Sequence, residues 1–219
     1  PDTRDYLRWL DTQNGMITSI WTNARGSYRT ESFAAYDGEV IVNRLSAPEG
    51  QLDVDVTITP PGRPFKHGNM VFENPFVKSS HELTIEGGMM TLAWAYNPDF
   101  GHKGFVAAIR LLPEGGAMEK IEKGFSVKGA TRLMVVSKIV KFESNFTFAC
   151  KKDVLDELVA IQVDFDKLLK GNEKHIGERM DRSRIHLGKK KDEVLSGEEL
   201  LRRTHSNKEI DPTLMHKLY

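Results

Sequence analysis

Between residues 51 and 59 apolar and polar side chains alternate without a break. Leu52, Val54, Val56 and Ile58 fall on one side of an extended chain, and Asp53, Asp55 and Thr57 on the other. A period of two predicts a strand with one face buried and one face wet. The same kind of segment recurs on both sides of it. Met16–Thr22 is bounded by Asn14-Gly15 and Gly26, and Ser27–Tyr36 is closed by the hairpin signal Asp37-Gly38. Glu39–Ala47 ends at Pro48-Glu49-Gly50. After Pro60-Pro61-Gly62 the Gly/Pro/Asn-rich residues 60–80 read as a long loop. Glu82–Glu86 and Met89–Tyr96 then flank Gly87-Gly88, and Gly104–Leu112 stops at Pro113. Ala117–Glu122, Gly124–Val127 and Arg132–Phe142 complete the series. Many short strands with frequent turns and no intervening helix predict an antiparallel β-sandwich, not a parallel α/β sheet.

Beyond residue 150 the period changes. Val154, Leu158, Ile161, Phe165 and Leu168 are spaced 4, 3, 4 and 3 apart, one stripe of a helix with Asp153 as its cap and Gly171 as its stop. Ser196-Gly197-Glu198-Glu199 has capping-box spacing ahead of Leu200-Leu201. Asp211-Pro212 opens a last helix that carries Leu214 and Leu218 on one side. Composition shifts at the same place: of the 19 aromatic residues only Phe165 and Tyr219 lie after residue 150. Three regions are therefore expected: a sandwich at 1–150, a helical linker at 151–192, and at 193–219 the start of a helical domain whose partner surface lies downstream. The chain opens on Pro1 rather than Met, which is read as a cut from something longer, so a missing leader says nothing about the parent.

Charge and chemistry narrow the function classes. Thirty-one Lys and Arg balance 31 Asp and Glu, without the basic excess of a general nucleic-acid binder. No apolar run approaches the roughly 18–20 residues that span a bilayer. Cys150 is the single cysteine, which excludes an intramolecular disulfide and is read as an inert thiol. No phosphate loop and no nucleophile elbow occur. His67, His81, His102, His175, His186, His205 and His216 form no metal pair at helical spacing. Asp53 and Asp55 read as a solvated strand face, Lys189-Lys190-Lys191 as a solvated loop between helices, and Trp9, Trp21 and Trp94 as core residues. No catalytic, cofactor-binding or metal-binding residue is assigned.

One stretch carries a resemblance. Tyr28-Arg29-Thr30-Glu31-Ser32-Phe33-Ala34-Ala35-Tyr36-Asp37-Gly38-Glu39-Val40-Ile41-Val42-Asn43-Arg44-Leu45-Ser46-Ala47 resembles the N-terminal sandwich of glycoside hydrolase family 95, the α-L-fucosidase family. The run Gly104–Arg110, then Gly115-Gly116 and Val127–Thr131, resembles that domain's later strands. His175 through Gly188 resembles its linker, and Ser196 through Tyr219 the entry into its (α/α)6 barrel. Here Thr30 opens the family's adjacent Arg-Glu pair by one residue, and Glu178-Arg179 stand where an Asp-Tyr is expected. The resemblance implies a mainly β super-sandwich, then linker helices that lead into a barrel absent from these residues. It implies a parent that removes a terminal sugar, α-L-fucose, from an oligosaccharide or polysaccharide by inverting hydrolysis in the barrel, between two carboxylates set apart to admit a water. It also implies export to the periplasm or the cell exterior. The fragment alone would then be inactive. The alternative from the residues is a stand-alone carbohydrate- or protein-binding sandwich without enzymatic activity. On either reading the weakly packed tail beyond about residue 172 is expected to be the first cut by a protease.

Overall fold

A computed structural model describes residues 3–60, 65–67, 70–72, 79–182, 195–207 and 214. Its strands are β1 (Arg4–Asp11), β2 (Met16–Asn23), β3 (Gly26–Ala35), β4 (Val40–Ser46), β5 (Leu52–Thr57), β6 (Phe65–His67), β7 (Met70–Phe72), β8 (Ser80–Glu86), β9 (Met89–Ala95), β10 (Gly104–Glu114), β11 (Ala117–Ile121), β12 (Gly124–Ala130) and β13 (Arg132–Phe142). Three helices follow: α1 (Cys150–Ala160), α2 (Phe165–Arg182) and α3 (Gly197–Asn207). The large sheet is antiparallel and eight-stranded, in the order β1-β2-β3-β4-β13-β10-β9-β8. A smaller sheet, β11-β12-β5, packs on one of its faces. The expected sandwich is therefore present, mainly β and followed by helices.

The large sheet buries both faces, and its strands sort their side chains accordingly. On β10, Val106 and Ala108 belong to one core and Ala107 and Leu111 to the other. The second core lies between the sheets and joins Leu52, Phe125 and Val127 to Met90, Leu92 and Leu133. The first lies under the helices, where Val154 and Leu158 of α1 and Phe165 and Leu168 of α2 meet Phe33, Val40, Val42 and Val136. The molecule thus has three layers, with the large sheet in the middle. Helices from the expected linker are part of its fold.

The alternating strand stands as read. Leu52 and Ile58 are buried, while Asp53 and Asp55 are exposed and accept hydrogen bonds from the Gly129 N–H (2.9 Å) and the Ser126 hydroxyl (2.6 Å). Val56 is only half-buried at the inner face. Val56→Ala is therefore expected to cost about 1 kcal/mol, the low end for lost buried methyl groups, as read by urea denaturation.

Two strand expectations change, and one strand was not foreseen. The segment 60–80 is not all loop: Phe65–His67 and Met70–Phe72 pair as a small ribbon. β10 runs through Pro113 to Glu114. Its pairing with β9 ends at Arg110, so Pro113 has β13 alone as a neighbour and its missing N–H costs the sheet little. β1 had no period to reveal it, since Leu7 and Trp9 lie on one face and Leu10 on the other. It is an edge strand, exposed almost throughout.

The helical stripe is real but spans two helices. α1 ends at Ala160, and Asp164 caps α2 by accepting the Lys167 N–H at 3.0 Å. Asp153 lies inside the first turn of α1, whose N-cap position is Ala149. Gly171 does not stop a helix; it lies within α2, where a β-carbon would collide with the Asp37 carboxylate. It is a contact glycine.

In α3 the Ser196 hydroxyl accepts the Glu199 N–H at 3.1 Å, as the capping box requires. The Glu199 carboxylate turns instead to Arg202, at 2.6 Å. Hydrogen bonding to Arg202 holds that carboxyl below the usual range. A lowered folded-state pKa makes the contribution full above the ordinary carboxylate range and lost as pH falls through the lowered value. The ion pair is accordingly expected to persist to lower pH than a free glutamate would allow, as checked by carboxyl NMR titration. The Asp211-Pro212 cap and the Lys189-Lys190-Lys191 loop lie outside the described residues. So does Leu218, whereas Leu214 is buried.

Candidate functional site

The polar side chains that the fold spends most structure on gather where α2 crosses the strands, not at a cleft. The turn between β3 and β4, Tyr36–Glu39, is tight: Gly38 has φ +81° and Glu39 φ +52°. Three groups fasten it. The ammonium of Lys138, nearly buried on β13, donates to the Gly38 carbonyl at 3.2 Å and pairs with Glu157 of α1 at 3.2 Å. Ile161, at the break between the helices, packs against Gly38. Asn172 of α2 is fully buried. Its side-chain oxygen accepts the Tyr36 N–H at 2.8 Å, and its amide nitrogen donates to the carbonyls of Ala34 (2.7 Å) and Asn14 (3.4 Å). One side chain thus ties the helix to two separate turns of the large sheet. Asn14 is itself fixed, donating to Asp11 and accepting the Met16 N–H, both at 3.0 Å.

At the start of α2 the contact is ionic and aromatic. Glu31 is 4% exposed and lies between Arg29 and Arg44, at 2.8 and 2.7 Å. Burying a carboxylate without such partners would be costly. The Arg44 guanidinium lies 3.5 Å from the centre of the Phe165 ring, and Phe165 meets Phe33 edge-on at 5.2 Å. Farther along α2, His175 stacks on Tyr36 with ring centres 3.9 Å apart, and Arg179 lies 5.9 Å from the same ring. These interactions fix the position and direction of α2. Their chemistry is anchoring: every charge and amide named here is engaged with protein.

The residues singled out by sequence separate into several places. Trp94 is buried, between His81 (5.3 Å) and Phe105 (6.4 Å). Trp21 is half-buried and stacked with Tyr28 at 5.7 Å. Trp9 is a correction: on the edge strand it is 39% exposed, not core. Register places Trp9, Thr18, Glu31 and Arg44 in one row across β1–β4 on the helix-bearing face. The Thr18 hydroxyl there is buried and has no hydrogen-bond partner among the described residues. Cys150 begins α1, half-buried, with the Thr147 hydroxyl 3.8 Å from its sulfur. His205 lies in the last turn of α3. His186 and His216 fall outside the described residues. Among the described residues no three of His, Cys, Asp and Glu gather as a metal site. No described helix is long and apolar enough to cross a membrane.

An open cleft of about 280 Å³ lies between α1 and strands β8–β9, with Phe148, Leu155, Thr84 and Thr91 in its wall. Both of its lysines are taken, Lys151 by Glu82 and Lys152 by Asp156. Sequence reasoning missed Asn172 and Lys138 and misread Gly171 as a helix stop. Asp164 could have been found, as an Asp directly ahead of the apolar Phe165.

Comparisons with known proteins agree with this architecture. The chain is similar over 80% of its length to a human-microbiome protein assigned as a kojibiose phosphorylase, with TM-score 0.57 and 13% identity, and it covers 25% of that structure. A bacterial glucoamylase solved with acarbose matches over 81% of the chain at 12% identity and covers 29% of that structure, but its TM-score of 0.41 supports no fold argument. The chain thus spans a quarter to a third of the length of these structures. No curated protein matches. The model of the glycosyl hydrolase family 65 N-terminal domain matches residues 1–147. That supports the expected N-terminal domain of a glycoside hydrolase, and it names family 65 where the sequence resemblance named family 95. With 147 of 219 residues matched, the chain belongs to the glycosyl hydrolase family 65 N-terminal domain family.

Proposed function

We propose that the chain is the non-catalytic sandwich and linker of a larger enzyme that acts on glycosidic bonds. The observation that carries this reading is the anchoring of α1 and α2 on the large sheet by Asn172, Lys138 and the Arg44–Phe165 contact, in a domain of a glycosyl hydrolase family. A sandwich that grips the helices following it sets the direction in which the chain leaves. In the parent, residues 1–150 form the sandwich, 151–192 the linker and 193–219 the opening of a helical catalytic domain. The carbohydrate substrate then meets the parent through that domain.

The finer reading is removal of terminal α-L-fucose by inverting hydrolysis, in an exported enzyme. It is supported by the family 95 resemblance of Tyr28–Ala47 and of the later stretches that follow it in order. The test is turnover of a panel of aryl glycosides, aryl α-L-fucoside among them, by the whole gene product and by the 219-residue chain. The whole protein is expected to hydrolyse a member of the panel while the 219 residues alone hydrolyse none. No turnover of any glycoside by the whole protein, with or without inorganic phosphate, would overturn the enzyme reading. Turnover of another glycoside would overturn only the fucose assignment.

A further inference from the structure

We infer that Asn145 is a glycosylation acceptor: in the exported parent an oligosaccharide is transferred whole, from a lipid-linked diphosphate donor, onto its side-chain amide nitrogen. This rests on the reading that the parent is exported, and not on which sugar the parent removes.

The motif is Asn145-Phe146-Thr147. Asn145 is the one asparagine of the sequence followed two places on by Ser or Thr, the spacing of an N-glycan acceptor, and the residue between is not proline. Glu143 stands two places before it, which completes the longer, acidic form of the acceptor that periplasmic oligosaccharyl transferases read. An acid there gives such an enzyme a charged group to pair with. Hydrogen bonding to Lys141 keeps the Glu143 carboxyl below the usual range, so it is charged at neutral pH.

The fold presents this motif. It lies between β13 and α1, and residues 145–147 belong to neither strand nor helix. A transferase that works on a folded chain needs such a segment, because an acceptor locked in a ladder cannot enter its site. Asn145 and Thr147 are exposed. Phe146 between them is 5% exposed, with Phe142 and Phe148 each 5.7 Å away between ring centres, and its N–H donates to the His102 carbonyl at 3.0 Å. The middle residue is the anchor, and the two that a transferase reads stand clear of the core on either side.

The groups to be read are also loosely held. Asn145 has φ +57°, in the left-handed region that asparagine tolerates. Among the described residues its side-chain amide has no hydrogen-bond partner. The Thr147 hydroxyl has the Cys150 sulfur at 3.8 Å. Glu143 pairs with the exposed Lys141 at 2.5 Å and with Lys103 at 3.9 Å, surface contacts that an incoming enzyme displaces at little cost.

The transfer balances without an oxidant or reductant. A bond forms between Asn145 Nδ2 and C1 of the first sugar, and the bond from C1 to the donor's diphosphate oxygen breaks. The lipid diphosphate leaves with the electron pair, and one amide proton passes to solvent. The glycan then stands over the connector that joins the sandwich to α1.

The test directs the whole gene product to the periplasm of a bacterial host that carries an oligosaccharyl transferase and its lipid-linked oligosaccharide, beside a known acceptor protein as control. Trypsin cuts after Lys141 and Lys151, so residues 142–151 are released as one peptide in which Asn145 is the single asparagine. That peptide is expected to gain the mass of one oligosaccharide. The gain is expected to vanish in Asn145→Asp, which keeps a residue tolerant of the left-handed backbone, and in Thr147→Ala, and to remain in Thr147→Ser. Both silent variants are expected to melt at the temperature of the unmodified parent, which separates a lost acceptor from a lost fold. Glu143→Gln is expected to lower the modified fraction. An unmodified peptide in cells that modify the control overturns the inference, and so does a mass gain that survives Asn145→Asp. Retention of the whole gene product in the cytoplasm when no leader is added defeats it as well. Glycoside turnover is read separately. Turnover with an unmodified peptide defeats this inference alone, and a modified peptide without turnover defeats the enzyme reading alone.

Discussion

Replacing Asn172 with Leu is expected to lower the unfolding free energy by about 2–4 kcal/mol, as measured by urea denaturation. Leucine keeps the branched four-atom skeleton of asparagine but is bulkier, so some overpacking adds to the loss of hydrogen bonds. What is lost is the partner of the Tyr36 N–H and of the Ala34 and Asn14 carbonyls, all beneath a helix with no exposure at position 172. Each buried group left without a partner costs about 1–3 kcal/mol, partly recovered where a carbonyl keeps another bond. Asn172→Asp separates this account from simple packing. The introduced carboxylate could still accept from Tyr36 but could donate to neither carbonyl. Its folded-state pKa should therefore be raised, so that this variant gains stability as pH falls through the raised value. An Asn172→Leu protein as stable as the parent would show that the three bonds contribute nothing net.

Phe165→Ala is expected to cost about 3–5 kcal/mol, the range for a deleted core aromatic. Phe165 is 5% exposed and is the first residue of α2. Its ring closes the helix-side core against Phe33 and carries the Arg44 guanidinium. Removing it opens a cavity and uncovers one side of an arginine that neutralises buried Glu31. Phe165→Leu, which keeps most of the apolar volume and loses the ring face, should cost clearly less. The difference between the two variants reports how far Arg44 depends on the aromatic face. Equal losses would mean the ring matters only as bulk.

The strands were legible because they are governed by local rules. Period two at 52–58, Asp37-Gly38 at a hairpin and Gly87-Gly88 between β8 and β9 each specify their geometry within a few residues. β13 matches its expected bounds because Leu133, Met134, Val135 and Val136, then Ile139 and Val140, form a nearly continuous apolar run between the turn signals on either side. β1 was illegible for the opposite reason: an exposed edge imposes no pattern on its side chains. The helical stripe was legible as a stripe, because Val154, Leu158, Phe165 and Leu168 all face one core. Its break was not, because a turn at Ile161–Asp164 keeps the same face toward the sheet. The anchor was least legible. Asn172 is an ordinary polar residue until two turns more than a hundred positions away are folded beneath it, and Gly171 looks like a helix stop until Asp37 is seen to occupy its β-carbon's space. The tail expectation shifts for the same reason. Asn172 and Gly177 are both buried in α2, so the first proteolytic cuts are expected after about residue 177, not 172.

The central claim is that the helices after the sandwich belong to its cooperative fold. Native-state hydrogen exchange of the 219-residue chain tests it most directly, by comparing the slowest amides of residues 165–177 in α2 with those of β13. The account predicts that both open with the same free energy and the same denaturant dependence, as members of one unit. Exchange of α2 through a cheaper local opening, while β13 stays protected up to the global limit, would contradict it.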